Sequence, residues 1–135
     1  MNKTLTLAAA LAAAAAFTGG IAFAGTGVYT AAQATQGATV YSGKCAACHG
    51  ANLEGGAGPA LDGAKFKQMA SAQSLTADSL LTVISTKMPL TAPHSLSASD
   101  YADVTAYILQ KNGYAAGDAA LAAGSDAAKS LKLTQ

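Results

Sequence analysis

Apolar positions in this chain recur at three- and four-residue spacing, and nowhere do they alternate as a strand requires. Residues 31–44 place Ala34, Ala38, Tyr41 and Cys45 on one stripe. This predicts a helix, weakened by Thr35, Gly37 and Thr39. Residues 50–63 hold Gly50, Gly55, Gly56, Gly58 and Gly63 with Pro59 among them, which reads as a loop. A short helix is expected over 64–70. Thr76 is an N-cap candidate for a helix over 77–85, with Leu80, Leu81 and Ile84 facing inward. A loop runs from Lys87-Met88-Pro89 through Pro93 to Leu96. Ser97 and Asp100 then form a capping-box start for a helix over 98–111. That helix carries Tyr101, Val104 and Ile108 on one face, with Tyr107 beside them, and Asn112-Gly113 ends it. The pattern is all-α, without internal repeats.

Both ends differ in texture from this middle. Lys3, the uncharged run over 5–17, the Gly19-Gly20 break and Ala22-Phe23-Ala24 together read as a secretory signal peptide over 1–24, with Gly25 the first mature residue. No second apolar run is long enough to span a bilayer, so no membrane insertion is expected after cleavage. A signal of this kind points to a bacterial periplasm. Residues 25–30 read as an irregular lead-in. Residues 114–135 are rich in Ala, Gly, Ser and Asp, with spaced leucines at 121, 131 and 133. This extension is expected to be partly helical and to pack lightly on a domain covering 25–113.

Composition narrows the function. The chain of 135 residues suits one ordinary domain. Hydrophobic residues make up 51% of it, but many are alanine, and it has no Trp and only three Phe. Such a core buries little area per residue, at roughly 25 cal/mol per Å². A bound apolar cofactor would repair the deficit. Without Lys3, seven lysines balance seven acids. That argues against a nucleic-acid partner, which needs a basic excess.

The strongest motif is Cys45-Ala46-Ala47-Cys48-His49. C-x-x-C-H is the covalent haem-attachment pattern. Two thiols three residues apart lie on one face of a helical turn, where they can add to two porphyrin vinyl groups. His49 then follows as an axial iron ligand. Two other readings use the same residues. A redox dithiol of Cys45 and Cys48 needs a βαβ context that the sequence lacks. A zinc site of Cys45, Cys48, His49 and His94 needs two well-separated ligand pairs.

Met88 is the candidate for the second axial position. Its thioether is a soft, neutral ligand, and Pro89 restricts it to extended backbone. Met69 and His94 are its rivals. With both axial positions filled, no substrate reaches the iron, and the iron can only accept and donate electrons.

On these residues the chain resembles class I c-type cytochromes over about 33–113. The resemblance rests on the helix carrying Gly37 and Tyr41, the Cys45–His49 motif, Gly58-Pro59-Ala60-Leu61, Met88-Pro89 and the helix with Tyr101 to Leu109. It implies the cytochrome c fold, about four to five short helices wrapped around one covalently bound haem c. It implies a close crossing of the first and last helices at Gly37, Tyr41 and Tyr107. It also implies that the Pro59 carbonyl accepts a hydrogen bond from His49. The family's Trp partner for a haem propionate is missing here. Residues 110–114 and the tail are similar to small cytochromes that accompany periplasmic quinoprotein dehydrogenases.

The expected function is therefore electron transfer by a soluble, monomeric periplasmic carrier, not an enzyme, serving a dehydrogenase or oxidase. The alternatives are a cytochrome subunit of a dehydrogenase complex, which should carry a large exposed apolar patch, and an open-site haem enzyme or sensor if Met88 does not bind. Leu53, Leu61, Phe66, Leu75, Leu80, Leu81, Ile84, Leu90, Val104 and Ile108 are candidates for the haem wall. Lys44, Lys65, Lys67, Lys87 and Lys111 flank the haem-linked segments and are candidates for a docking patch.

Overall fold

A computed structural model describes residues 25–134; the signal-peptide expectation for 1–24 lies outside the described residues. Six helices follow one another: α1 (Ala31–Lys44), α2 (Ala46–His49), α3 (Gly63–Ala72), α4 (Ala77–Lys87), α5 (Ala98–Lys111) and α6 (Asp126–Ser130). Two isolated bridges, Thr26 with Gly117 and Thr76 with Lys132, are the only β pairings among the described residues. The architecture is that of the cytochrome c fold. One-turn α2, inside the Cys45–His49 motif, lies beyond the expected set, while α6 is the helical part expected of the tail.

Local chemistry sets the helix starts. Thr30 accepts a hydrogen bond from the Gln33 N–H while the Gln33 side chain caps Thr30, a full capping box at the head of α1. Thr76 and Ser79 make the same reciprocal pair at α4. At α5 the Ser97 hydroxyl accepts from the Asp100 N–H, 3.1 Å away. Helix α5 gives way at Asn112 to Gly113, whose φ of +86° suits glycine. Helices α3 and α4 run two residues past the expected ends, because Ala70 and Ile84 keep the last turns anchored in the core.

The frame is the packing of α1 on α5, the most extensive helix contact. Gly37 permits it: a Cβ there would lie 1.9 Å from the Asp103 carbonyl oxygen. One turn on, the Tyr41 and Tyr107 rings meet at 5.4 Å between centroids, tilted by 51°. The crossing falls on the three residues that the resemblance implied.

The tail does more than pack lightly. Leu121, Ala128 and Leu133 are buried in the same core as Tyr41, Phe66 and Ile108. The Gln33 side chain brackets residue 121, accepting from the Leu121 N–H (2.7 Å) and donating to its carbonyl (3.2 Å). The Leu133 N–H donates to the Leu75 carbonyl and the Ala77 N–H to the Leu131 carbonyl, at 2.8 and 2.9 Å. The spaced leucines thus supply apolar area that alanine cannot, and the backbone bonds hold the tail across the start of α4. The lead-in is equally anchored, with Tyr29 buried and its hydroxyl donating to the Tyr114 carbonyl.

Candidate functional site

Helix α1 ends at Lys44 because Cys45 leaves the helical region, at φ −124°, ψ −34°. Cys45 then serves as the N-cap of α2. The Cys48 and His49 N–H groups both donate to the Cys45 carbonyl, at 3.1 and 3.0 Å. One turn of helix therefore carries both thiols and the imidazole. Cys45 is half-buried, Cys48 is exposed, and both are free thiols.

The following loop folds back over this turn. Gly50, at φ +84°, reverses the chain. The Tyr41 hydroxyl donates to the Gly50 carbonyl at 2.7 Å, and burial pushes its pKa up to about 12. The Gly55 N–H donates to the His49 carbonyl at 2.7 Å, and the Gly58 N–H to the Cys48 carbonyl at 2.8 Å. Asn112, at the end of α5, donates to the Leu61 carbonyl at 2.8 Å.

These bonds bring Pro59 onto the imidazole. The Pro59 carbonyl lies 2.8 Å from His49 Nδ1. A carbonyl can only accept, so Nδ1 is the donor, which in the neutral ring leaves the lone pair on Nε2. Gly58 lies flat against the ring: a Cβ there would stand 2.7 Å from His49 Cε1 and 2.8 Å from Nδ1. The imidazole is buried and oriented, with Nδ1 engaged and Nε2 left for a metal, and Cys45 and Cys48 stand on the same turn. The residues fit a covalently attached haem.

Met88 stands on another element. It is the C-cap residue of α4, extended at φ −115°, ψ 153°, as Pro89 requires. The Met88–Pro89 peptide is cis. Met88 is half-buried, and packs against the core as Cys45, Leu61 and Met69 do. Its carbonyl accepts from the buried Tyr101 hydroxyl at 2.9 Å. The rival Met69 is also half-buried, whereas His94 is exposed at φ +61°.

Of the ten haem-wall candidates, eight are buried in the chain's own core, Leu61 is half-buried, and Leu90 is 76% exposed. The five flanking lysines are all exposed. The competing metal and thiol readings gain nothing. Among the described residues no three His, Cys, Asp or Glu side chains gather into a metal-holding group. Burial, and then the neighbouring Cys48, push the Cys45 thiol up, whereas a redox dithiol needs its thiol lowered. Sequence reasoning missed Gln33 and Asn112 as side-chain anchors and the Tyr101 hydroxyl as a loop contact. A tyrosine on an otherwise apolar helix face was the available signal for the last, since a buried hydroxyl needs a partner.

A comparison with curated proteins finds no match. Among solved structures the chain is similar to the sulfane dehydrogenase SoxCD from Paracoccus pantotrophus. The identity is 25% and the TM-score 0.50, covering 63% of this chain and 46% of that one. It also matches the thiosulfate dehydrogenase TsdBA from Marichromatium purpuratum, in its as-isolated form. There the identity is 32% and the TM-score 0.45, covering 56% of this chain and 17% of that one. The chain thus spans less than half the length of either. The family described as cytochrome c oxidase, cbb3-type, subunit III matches residues 32–108. With more than half of its length inside that match, the chain belongs to this family of c-type cytochrome domains, whose cofactor is covalently bound haem c.

Proposed function

We propose that this cytochrome is an exported, monomeric electron carrier whose haem is held by Cys45 and Cys48 and whose iron is ligated by His49 and Met88. Haem c supplies a one-electron couple at its iron. The orientation of His49 carries the reading: the Pro59 carbonyl accepts from Nδ1 and Gly58 lets the loop lie close against the ring. The two thiols, as thioethers, tether the group to the turn that bears His49. Met88 closes the opposite axial position. A neutral imidazole and a neutral thioether add no negative charge, which favours the reduced state. With both positions taken, the protein passes electrons and excludes substrates.

Residues 1–24 act as the export signal, 25–113 form the haem domain, and 114–135 extend it. No helix among the described residues is long and apolar enough to cross a membrane, which is in keeping with a periplasmic carrier. Val83 and Leu90 are the exposed large hydrophobics among the described residues, too few for the broad apolar face of a permanent subunit. That supports transient meetings with a redox partner of the dehydrogenase or oxidase class. The SoxCD likeness keeps a dehydrogenase foremost among partners.

The test is the ferric near-infrared spectrum of the wild type beside Met88→Ala. The expected result is a weak sulfur-to-iron charge-transfer band in the wild type that is missing in the variant. A wild type without the band would refute Met88 ligation.

A further inference from the structure

We propose that Tyr101 is the positioning residue for Met88, its hydroxyl acting as a latch that closes the 88–96 loop over the axial position. The inference rests on Met88 being the ligand. The Tyr101 side chain is buried, on the core face of α5. Its hydroxyl donates to the Met88 carbonyl at 2.9 Å and receives the Leu96 N–H at 3.3 Å. One oxygen therefore ties together two backbone positions eight residues apart, at the two ends of the loop. Met88 and Leu96 pack against the core at the loop's ends, and between them little else holds it. Residues 90–95 are all exposed, and its internal backbone bond runs from the Ala92 N–H to the Pro89 carbonyl at 2.9 Å. On the α4 side, the Met88 N–H donates to the Ile84 carbonyl at 3.0 Å, which fixes where the loop starts but not how it closes.

The consequence is a population effect. An external ligand can reach the iron only when Met88 has left, so its apparent affinity scales with the fraction of open loop. Tyr101→Phe keeps the ring in the core and removes both bonds of the latch. A hydrogen bond of ordinary net worth changes the open fraction by roughly two- to tenfold.

The experiment titrates ferric holoprotein with imidazole, in wild type, Tyr101→Phe, Thr105→Val and Met88→Ala with and without Tyr101→Phe. Thr105 is the control: it lies one turn along α5, fully buried, and its hydroxyl donates to the Tyr101 carbonyl at 2.8 Å, a bond within α5. Expected are a charge-transfer band in the wild type and imidazole binding roughly two- to tenfold tighter in Tyr101→Phe. Thr105→Val should bind imidazole as the wild type does, whatever stability it loses. Tyr101→Phe should change nothing once Met88 is already alanine. Unchanged binding in Tyr101→Phe, or an equal gain in Thr105→Val, overturns the latch while Met88 ligation stands. A wild type lacking the band overturns both.

Discussion

The two sides of the site are built differently. On the His49 side, one turn of helix and a glycine-rich loop are sewn together by backbone bonds from Gly55 and Gly58, by the Tyr41 hydroxyl and by the Pro59 carbonyl. All these groups lie within eighteen residues of one another, between Tyr41 and Gly58–Pro59. On the Met88 side, an exposed loop is closed by a hydroxyl from a different helix. His49 thus sits in a local, redundant cradle, and Met88 in a long-range, sparsely held one. On the proposed ligation, this division leaves His49 fixed and makes Met88 the side that can be displaced.

Substitutions at single residues can break or sharpen that contrast. The largest effect is expected at Gly58. Gly58→Val drives a side chain into the His49 ring, and should lower the yield of native-spectrum holoprotein roughly tenfold or more. Absorption spectra and haem content of purified protein measure it, and a normal yield would remove the cradle from the account. Next comes the tail. Leu133→Ala removes a fully buried side chain beside the start of α4 and should cost about 2–5 kcal/mol in urea unfolding. Because α4 carries Met88, imidazole should also bind more tightly in this variant. A cost without a change in imidazole binding would confine the tail to stability alone.

Much of this could be read from the sequence, and the limits have physical causes. The motif, the glycine loop and the helix crossing at Gly37 were legible because each depends on short spacing or on a residue type with one use. The boundaries of α1 and α5 were legible because Thr30 was followed by a helical pattern and Asn112-Gly113 ended one. The tail was not, because its anchors are backbone bonds to Leu75 and Ala77 and a glutamine bracket 88 residues away. The Tyr101 latch was hidden for the same reason: apolar periodicity places the ring in the core but says nothing of what its hydroxyl meets.

Smaller effects test the remaining ties. Asn112→Ala loses the bond to the Leu61 carbonyl, but also a buried Oδ1 without a hydrogen-bond partner among the described residues. The net cost should be about 1 kcal/mol, visible in denaturant midpoints and without effect on imidazole binding. A pH effect is expected at Tyr41. Burial raises its phenol from the ordinary 10.0 to about 12, so its contribution is complete below pH 10 and is lost as pH rises toward 12. Thermal melts should therefore fall across that window, and Tyr41→Phe should flatten part of the fall. An identical alkaline decline in the variant would assign it to other groups.

The central claim is a closed iron that handles electrons and nothing else. Carbon monoxide binding to the reduced wild-type holoprotein tests it most directly. The account predicts no binding to the wild type on mixing and ready binding to Met88→Ala. Rapid binding to the wild type would contradict it and make the site an open one.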